Sequence, residues 1–520
     1  VISLSSPKDP SGRASPFRVF VAAFILILGL SGSWALASPL MSVPDEPSHA
    51  VKAAAVVRGQ LNGVAPEVPT GFIAVTVPKW MAEASKLTCY AFKPTVTPSC
   101  QKHPVSHSTA LVQAGTSAGA YNPLYYEIVG APSLVLSGQP AVYTMRLVSA
   151  ALSSLFLAGM FAALVASGRR RWTVIAALVS ITPMVLYLGG AINPNGLEFA
   201  TTASFFVSLV ALIEPGRAGR PSGWMLALAT VSAAFLANTR GLSLLWMALA
   251  VVLAIVLCGW KNLIAIFSHW TVWISVAVIG LASAFALWWL VTQKAPAGPL
   301  YDGARTPFWS AAGVMLDRTF EYGRGMIGLF GWGDAPAPDF VILVFGAAYL
   351  LLIIAGVSLS RGRARATVVI ASTSFILIPA ALQASVAYQA GFIWQGRYSL
   401  SLFALLLLCA GLALDRHRVG WPPVVARFSR WAIVLIAIGQ AYAFLWALRR
   451  YTIGIAQSRG WIDMFTIPTW SPPLGWGTLT IAVIVLLGAA SVVLWDASRR
   501  TSFPHIAEEN ELIPVPQSGA

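Results

Sequence analysis

Asp45 and Glu46 stand side by side in Pro44-Asp45-Glu46-Pro47-Ser48-His49, directly after the first long apolar stretch of the chain. Two adjacent carboxylates at the edge of such a stretch are costly to dehydrate and do nothing for membrane insertion, so a chemical role is the first question. The residues that follow, Ala50 to Arg58, read as helix, and Gly59 closes it. Acids and Pro at the front with Gly at the back match the preferences of helix starts and stops. If the helix begins near Asp45, then Asp45, His49 and Lys52 fall at i, i+4 and i+7 and share one face. A carboxylate, an imidazole and an ammonium on one surface suit deprotonation of a hydroxyl while a phosphate is held. The same spacing describes a capped amphipathic helix lying on a membrane, its acids favouring the positive end of the helix dipole.

Other polar groups recur where apolar runs end. Tyr121-Asn122-Pro123-Leu124-Tyr125-Tyr126-Glu127 reads either as an interfacial anchor or as a sugar-binding surface. Asn193-Pro194-Asn195-Gly196-Leu197-Glu198 makes a tight turn and then a helix start, which can bind an anion or simply carry an acid near the dipole. Trp394-Gln395-Gly396-Arg397-Tyr398 places an arginine where topology does not ask for one. Arg240 is a second such residue, and Arg324 a third, ahead of Phe330-Gly331-Trp332-Gly333-Asp334. Arginine binds phosphate in a bidentate way that lysine does not reproduce; any one of these could equally contact lipid headgroups. Asp317, Arg318 and Glu321 read as a solvated helical face.

The elements that must position these groups are membrane helices. The chain has 520 residues, of which 57% are hydrophobic and 10% charged, and its mean hydropathy is +0.72. A soluble protein carries about 25% charged residues. About twelve apolar segments reach or approach the length that crosses a bilayer. They lie near 18–38, 142–167, 172–191, 197–213, 223–239, 241–259, 270–291, 340–360, 367–390, 398–414, 431–448 and 476–495. The first lacks a compelling small-residue cleavage site and reads as a retained helix rather than a secretory signal. The net charge of +15 sits in short basic clusters between the spans, as topology signals do, and does not indicate nucleic acid.

If the spans alternate, Arg169-Arg170-Arg171, Arg217, Arg220, Lys261, Arg361, Arg363, Arg365, Arg416, Arg418, Arg427, Arg430 and Arg499-Arg500 share one side with Lys8, Arg13 and Arg18. That side is expected to be cytoplasmic. Residues 1–17 would be a cytoplasmic segment, 18–498 the membrane domain, and 499–520, with Glu508, Glu509 and Glu511, a disordered tail. The outer side receives two sizeable loops, 39–141 and 292–339, and a shorter segment near 449–475. Cys89 and Cys100 both fall in the first outer loop, in an oxidising compartment, and a disulfide is expected between them. Cys258 and Cys409 lie in separate spans as small core residues. No Walker-type phosphate loop is present and no Cys/His spacing supports zinc, which argues against an ATP-driven transporter and a structural metal site.

Taken together, the segments around Asp45-Glu46, Tyr121-Asn122, Asn193–Glu198, Phe330-Gly331-Trp332 and Gln395–Tyr398 resemble a bacterial membrane-protein family, domain of unknown function 2142, common in actinobacteria. The resemblance covers roughly residues 18–450, with the motifs in order. That family looks related to the GT-C glycosyltransferases, polytopic enzymes that use polyprenyl-phosphate-linked sugars. The resemblance implies an all-α membrane domain of about twelve helices, located in the bacterial cytoplasmic membrane with its active site outside. It implies transfer of a sugar to a cell-envelope glycan or glycolipid, with inversion.

Asp45 or Glu46 would be the general base, Asp45 being favoured for sharing a face with His49 and Lys52. Arg397 leads the candidates for the leaving phosphate, followed by Lys52, His49 and Arg240. Arg324, Tyr398, Asn193, Asn195, Glu198 and Gln395 are further phosphate or substrate contacts, and Tyr121, Trp332 and Asp334 acceptor or sugar contacts. Some relatives use a divalent cation; Asp45, Glu46 and His49 would hold one only weakly, and no cofactor is expected. A flippase for lipid-linked sugars would use the same outer groups but should show polar residues deep inside several spans. A noncatalytic assembly partner would tolerate loss of Asp45 or Arg397.

Overall fold

The computed structural model describes residues 15–64, 71–101, 105–168, 171–214, 221–293, 300–416, 423–456 and 458–500. Lys8, Arg13, Arg169, Arg170, Arg217, Arg220, Arg418 and the tail beyond Arg500, with Glu508, Glu509 and Glu511, lie outside the described residues.

Each of the twelve apolar segments is helical. The first of the two long loops expected to be outer sits between helix α1 (Pro16–Ala37) and the second span. It holds α2 (Glu46–Val56), strand β1 (Ile73–Pro78), α3 (Lys79–Ala84), strand β2 (Leu111–Thr116) and α4 (Leu124–Gly130). The chain then builds α5 (Gly138–Ala166), α6 (Arg171–Ser180), α7 (Pro183–Gly189), α8 (Pro194–Ile213), α9 (Gly223–Ala237) and α10 (Ser243–Cys258). α11 (Trp260–Ile266) and α12 (Trp270–Thr292) lead to the second outer loop, with α13 (Phe308–Asp317), α14 (Thr319–Gly328) and the short pair β3 (Leu329–Phe330) and β4 (Ala335–Pro336). α15 (Asp339–Leu359), α16 (Gly362–Ala390), α17 (Leu400–Asp415), α18 (Pro423–Ile453), α19 (Asp463–Thr466) and α20 (Trp476–Arg500) complete the fold.

Among the described residues nine helices are long and apolar enough to cross a membrane, and eleven spans result if each of two bent pairs counts as one. α9 is a shorter apolar helix. The third expected span is broken: α6 and α7 meet at 61°. Pro183 is the cause, since it cannot donate to the helical ladder and its ring clashes with the preceding turn. The break is satisfied locally. Thr182 caps α7 and gives its hydroxyl to the Met326 carbonyl (2.7 Å), while Gln440 donates to the Ile181 carbonyl (2.7 Å). After α10 the chain turns by 108° into α11, so α11 does not prolong that span.

The first outer loop has its own core. β1 pairs antiparallel with β2, from Ile73 opposite Thr116 to Pro78 opposite Leu111. α2 lies against this pair and α4, and nearly every one of its side chains is buried. A helix enclosed on all sides cannot lie flat on a membrane, so that alternative for residues 46–56 does not hold. Cys89 and Cys100 form a disulfide. The loop it closes presents the carbonyls of Tyr90, Lys93 and Val96 to the Arg450 guanidinium at 3.1, 2.9 and 2.7 Å. Arg450 also pairs with Asp334 at 2.6 Å, and thereby joins α18 to both outer loops.

At the opposite end of the bundle the carboxylate of Asp415 accepts from the backbone N–H groups of Trp172 (3.0 Å) and Thr173 (3.1 Å). An acid placed on free N–H groups at a helix start is a stabilising arrangement. Arg416 pairs with Glu214 there at 3.2 Å.

Because the disulfide frames the carbonyls that hold Arg450, replacing Cys89 and Cys100 by Ser should destabilise the protein by about 2–4 kcal/mol. Thermal unfolding in detergent measures this. A loss near zero would mean that the loop keeps its shape without the bond.

Candidate active site

Eight residues, Ser38 to Asp45, carry the chain from α1 into α2. Two of them, Met41 (φ 63°) and Asp45 (φ 67°), adopt the left-handed backbone conformation. An aspartate tolerates that region better than most residues, and strained backbone of this kind tends to gather at functional sites. The consequence for the two acids is decisive. Glu46 becomes the first residue of α2 and Asp45 stays outside the helix. The expected common face of Asp45, His49 and Lys52 is therefore not formed, because Asp45 has no helical backbone to set its direction.

Glu46 points inward. Its carboxylate takes two hydrogen bonds from Arg146 of α5, Nε at 2.7 Å and Nη2 at 2.6 Å, and a third from the backbone N–H of Ile192 at 3.1 Å. Arg146 spends its remaining N–H groups on the carbonyls of Ala35 (2.9 Å), Ser38 (2.7 Å) and Pro39 (2.7 Å). Both side chains are fully buried.

Asp45 points outward and its side chain is 46% exposed. Its carboxylate is paired with Arg397, whose guanidinium also donates to the Pro44 carbonyl at 3.2 Å. The Arg397 side chain is only 2% exposed, and its Nε–H is buried without a partner. Gly396 makes this placement possible: a side chain there would collide with the Tyr322 carbonyl of α14. Tyr398 lies beside two guanidinium groups, Arg397 at 5.2 Å and Arg240 at 4.8 Å from its ring centroid. Arg240 bonds to the Asn195 side chain and to Glu198 (3.2 Å). Glu198 also accepts from Ser243 at 2.7 Å. Asn193 caps α8 and donates to the Pro44 carbonyl at 3.3 Å. Gly196 lets α8 start against the backbone of Gly189, where a side chain would stand 2.9 Å from its Cα.

Behind Asp45, the rings of His49 and Tyr121 are 5.6 Å apart, and His49 Nδ1 shares a hydrogen bond with the Tyr126 hydroxyl at 2.8 Å. Burial lowers the His49 pKa to about 3, Asp45 opposing the shift and Arg240 and Arg397 adding to it. His49 is therefore neutral at physiological pH and supplies no charge to a phosphate. Burial pushes the Tyr121 and Tyr126 hydroxyls up, so both stay protonated.

Four of the polar segments singled out in the sequence thus meet at one end of the bundle: those of Asp45, Tyr121, Asn195–Glu198 and Arg397-Tyr398, with Arg240. Other candidates go elsewhere. Lys52 is buried and donates to the carbonyls of Leu61 (2.6 Å) and Gly119 (2.7 Å), and burial lowers its pKa to about 8. Arg324 forms an exposed pair with Asp339 at 2.9 Å. Gln395 is exposed next to the Gly396 turn. Trp332 donates its indole N–H to the Met41 carbonyl at 3.0 Å, and Asp334 belongs to Arg450. Asp45, Glu46 and His49 face three different partners and make no ligand set. Among the described residues no group of three or more His, Cys, Asp or Glu side chains is arranged to hold a metal. Sequence reasoning passed over Arg146, Arg450 and Ser243. The signal for Arg146 was available: an arginine inside an apolar span demands a partner.

A family model described as "Predicted membrane protein (DUF2142)" matches residues 28–408. The chain belongs to this family. No curated protein matches it. Among solved structures it is similar to ArnT from Cupriavidus metallidurans, in the apo state and bound to undecaprenyl phosphate. Identity is 14% in both cases, over 93% of this chain and 76% and 77% of ArnT, with TM-scores of 0.41 and 0.39.

The two adjacent acids should respond differently to neutralisation. Glu46→Gln leaves Arg146 buried without its counter-charge and should cost about 3–5 kcal/mol. Asp45→Asn also removes a counter-charge from a buried guanidinium, but it keeps an acceptor for Arg397 at a half-hydrated position where water can compensate, and should cost less than Glu46→Gln. Unfolding in detergent compares them, and equal losses would contradict the assignment. The buried imidazole sets a second expectation. Between about pH 6.5 and 3 the unfolded chain binds a proton at His49 that the folded chain refuses, so stability falls as pH falls through that window. His49→Gln should flatten that part of the profile of melting temperature against pH.

Proposed function

We propose that this DUF2142 protein is an integral-membrane glycosyltransferase. It moves a sugar from a polyprenyl-phosphate-linked donor to a cell-envelope glycan or glycolipid, on the extracytoplasmic side of the bacterial cytoplasmic membrane and with inversion. One observation carries this reading: a half-exposed carboxylate, Asp45, set against a buried guanidinium, Arg397, with an unpartnered N–H. The orientation rests on the basic residues Arg363, Arg365, Arg416, Arg427 and Arg430, which flank the ends of α16, α17 and α18 remote from Asp45.

In this reading Asp45 takes the proton from the acceptor hydroxyl. The acceptor oxygen bonds to the anomeric carbon as the bond from that carbon to the phosphate oxygen breaks. The polyprenyl phosphate departs with one more negative charge, and Asp45 has lost one. The site's total charge is therefore unchanged across the step. Two guanidinium groups against two carboxylates (Arg397, Arg240, Asp45 and Glu198) form a balanced set before donor arrives. Arg397 stabilises the charge that develops on the phosphate, a contribution that is often a large part of catalysis. Arg240, fixed by Asn195 and Glu198, positions Tyr398 beside it. Glu46 has no access to a substrate in this scheme, since it is spent on Arg146.

Sugar transfer from a polyprenyl-phosphate donor by the purified protein tests the proposal. Asp45→Asn should lower the rate by about a hundredfold or more at unchanged membrane levels, in the range of a lost general base. Arg397→Lys should also fail, because the bidentate geometry is lost. Full activity in Asp45→Asn would remove Asp45 as the base. A wild-type protein that transfers no sugar but moves the lipid-linked sugar across vesicles would favour the flippase reading.

A further inference from the structure

A further cation, Arg449, stands at the carboxyl end of α18, and among the described residues it has no counter-ion. Arg449 is 7% exposed. Its guanidinium lies 5.2 Å from the ring centroid of Trp446 and 5.4 Å from that of Trp461. One N–H is used by the Arg459 carbonyl. The Nε–H of Arg449 and the indole N–H of Trp446 are both buried and unpartnered. Arg459, close by, donates to the Ile453 carbonyl at 3.2 Å. Among the described residues neither arginine pairs with a carboxylate. The acid of this segment, Asp463, is turned to the Gly460 N–H at 2.7 Å. The neighbouring Arg450 also buries its Nε–H without a partner, but its terminal N–H groups go to Asp334 and three carbonyls, so its charge is balanced where that of Arg449 is not.

Buried donors without acceptors are rare in folded proteins and call for an explanation. The surroundings supply one. The segment 454–475 joins α18 to α20, both long and apolar enough to cross a membrane. It exposes Ile462, Phe465, Ile467 and Leu474, each by more than half. Such a cluster is costly in water and favourable at the edge of the acyl region. Trp461, Trp470 and Trp476 add the amphipathic rings typical of the headgroup level. Arg449 therefore lies at headgroup depth, with an apolar segment beside it.

We infer that Arg449, Trp446 and Trp461 form a headgroup site for the phosphate of an anionic bilayer phospholipid. The phosphate accepts from Arg449 Nε and Trp446 Nε1, and its acyl chains run along Ile462 and Phe465. The two indole rings hold the guanidinium in place. The site shares no residue with that of Asp45 and does not depend on the transferase reading.

Native mass spectrometry of the full chain in detergent, titrated with phosphatidylglycerol, tests this. The wild type should retain one phosphatidylglycerol that Arg449→Gln loses, with affinity lowered about tenfold or more, as for a charge-assisted hydrogen bond. Trp446→Phe keeps the ring and removes only the N–H; it should weaken the same binding about threefold to tenfold. That variant decides the matter if Arg449→Gln does not fold. Unchanged retention in Trp446→Phe, or equal retention of diacylglycerol or phosphatidylcholine, would overturn the proposal. Displacement of the phospholipid by equimolar polyprenyl phosphate would also overturn it, by assigning the site to a lipid carrier. Asp45→Asn should bind phosphatidylglycerol like the wild type.

Discussion

The site depends first on the buried pair between Glu46 and Arg146. A guanidinium taken wholly out of water must satisfy five N–H groups, and Arg146 does so with one carboxylate and three carbonyls of the chain leaving α1. Those carbonyls belong to Ala35, Ser38 and Pro39, so the path of the linker is fixed on α5. The third bond to Glu46, from Ile192, fixes the turn ahead of α8 on the same acid. Once these are set, Asp45 has little freedom. It is the residue between a pinned linker and a pinned helix start, and its left-handed backbone is the remaining way to join them. Such a pair need not add net stability over an apolar packing of equal volume. Its contribution is to specify one geometry.

A second buried arginine repeats the device on the other flank. Arg450 draws three carbonyls of the disulfide loop and the carboxylate of Asp334 to the end of α18. Trp332 then reaches the Met41 carbonyl, and Tyr187 lies between the Ser42 carbonyl (3.1 Å) and the Gly331 N–H (3.0 Å). The linker is thus held from both sides: by Arg146 beneath Ser38 and Pro39, and by the second outer loop at Met41 and Ser42. Asp334 and Trp332, which the sequence offered as substrate contacts, are parts of this support.

The spans were legible because hydropathy is a property of composition, and each of the twelve apolar segments is a helix. The break at Pro183 was written in the sequence as well, though not read. The loop core was harder. β1 and β2 are separated by more than thirty residues, and their pairing depends on a contact that no local pattern announces. At the site, residue type was informative and spacing was not. Arg397, Arg240, Asn195 and Glu198 stood out as polar groups at the ends of spans, and they do converge. The i, i+4, i+7 argument failed for a physical reason: it assumes that all three residues share one helix, and Asp45 does not. It failed again for Lys52, whose ammonium is consumed by two carbonyls inside the loop core.

The adjacency of Asp45 and Glu46 now has a mechanical meaning. In the proposed transferase reading Asp45 is a base that must meet a substrate at a membrane surface; it has to be exposed, yet exposure leaves it poorly fixed. Anchoring the next residue resolves the conflict. Glu46 is neutralised and immobilised by Arg146, so its neighbour can remain half hydrated and still be held in direction by one backbone bond. Arg397 then completes the fixing from the opposite side, through the Pro44 carbonyl as well as through the carboxylate itself. A phosphate arriving at Arg397 would compete with Asp45 for the same guanidinium, so donor binding would loosen the base at the moment it is needed. The contact through Pro44 would persist during that exchange, keeping Arg397 in register with the linker while its bond to Asp45 is given up.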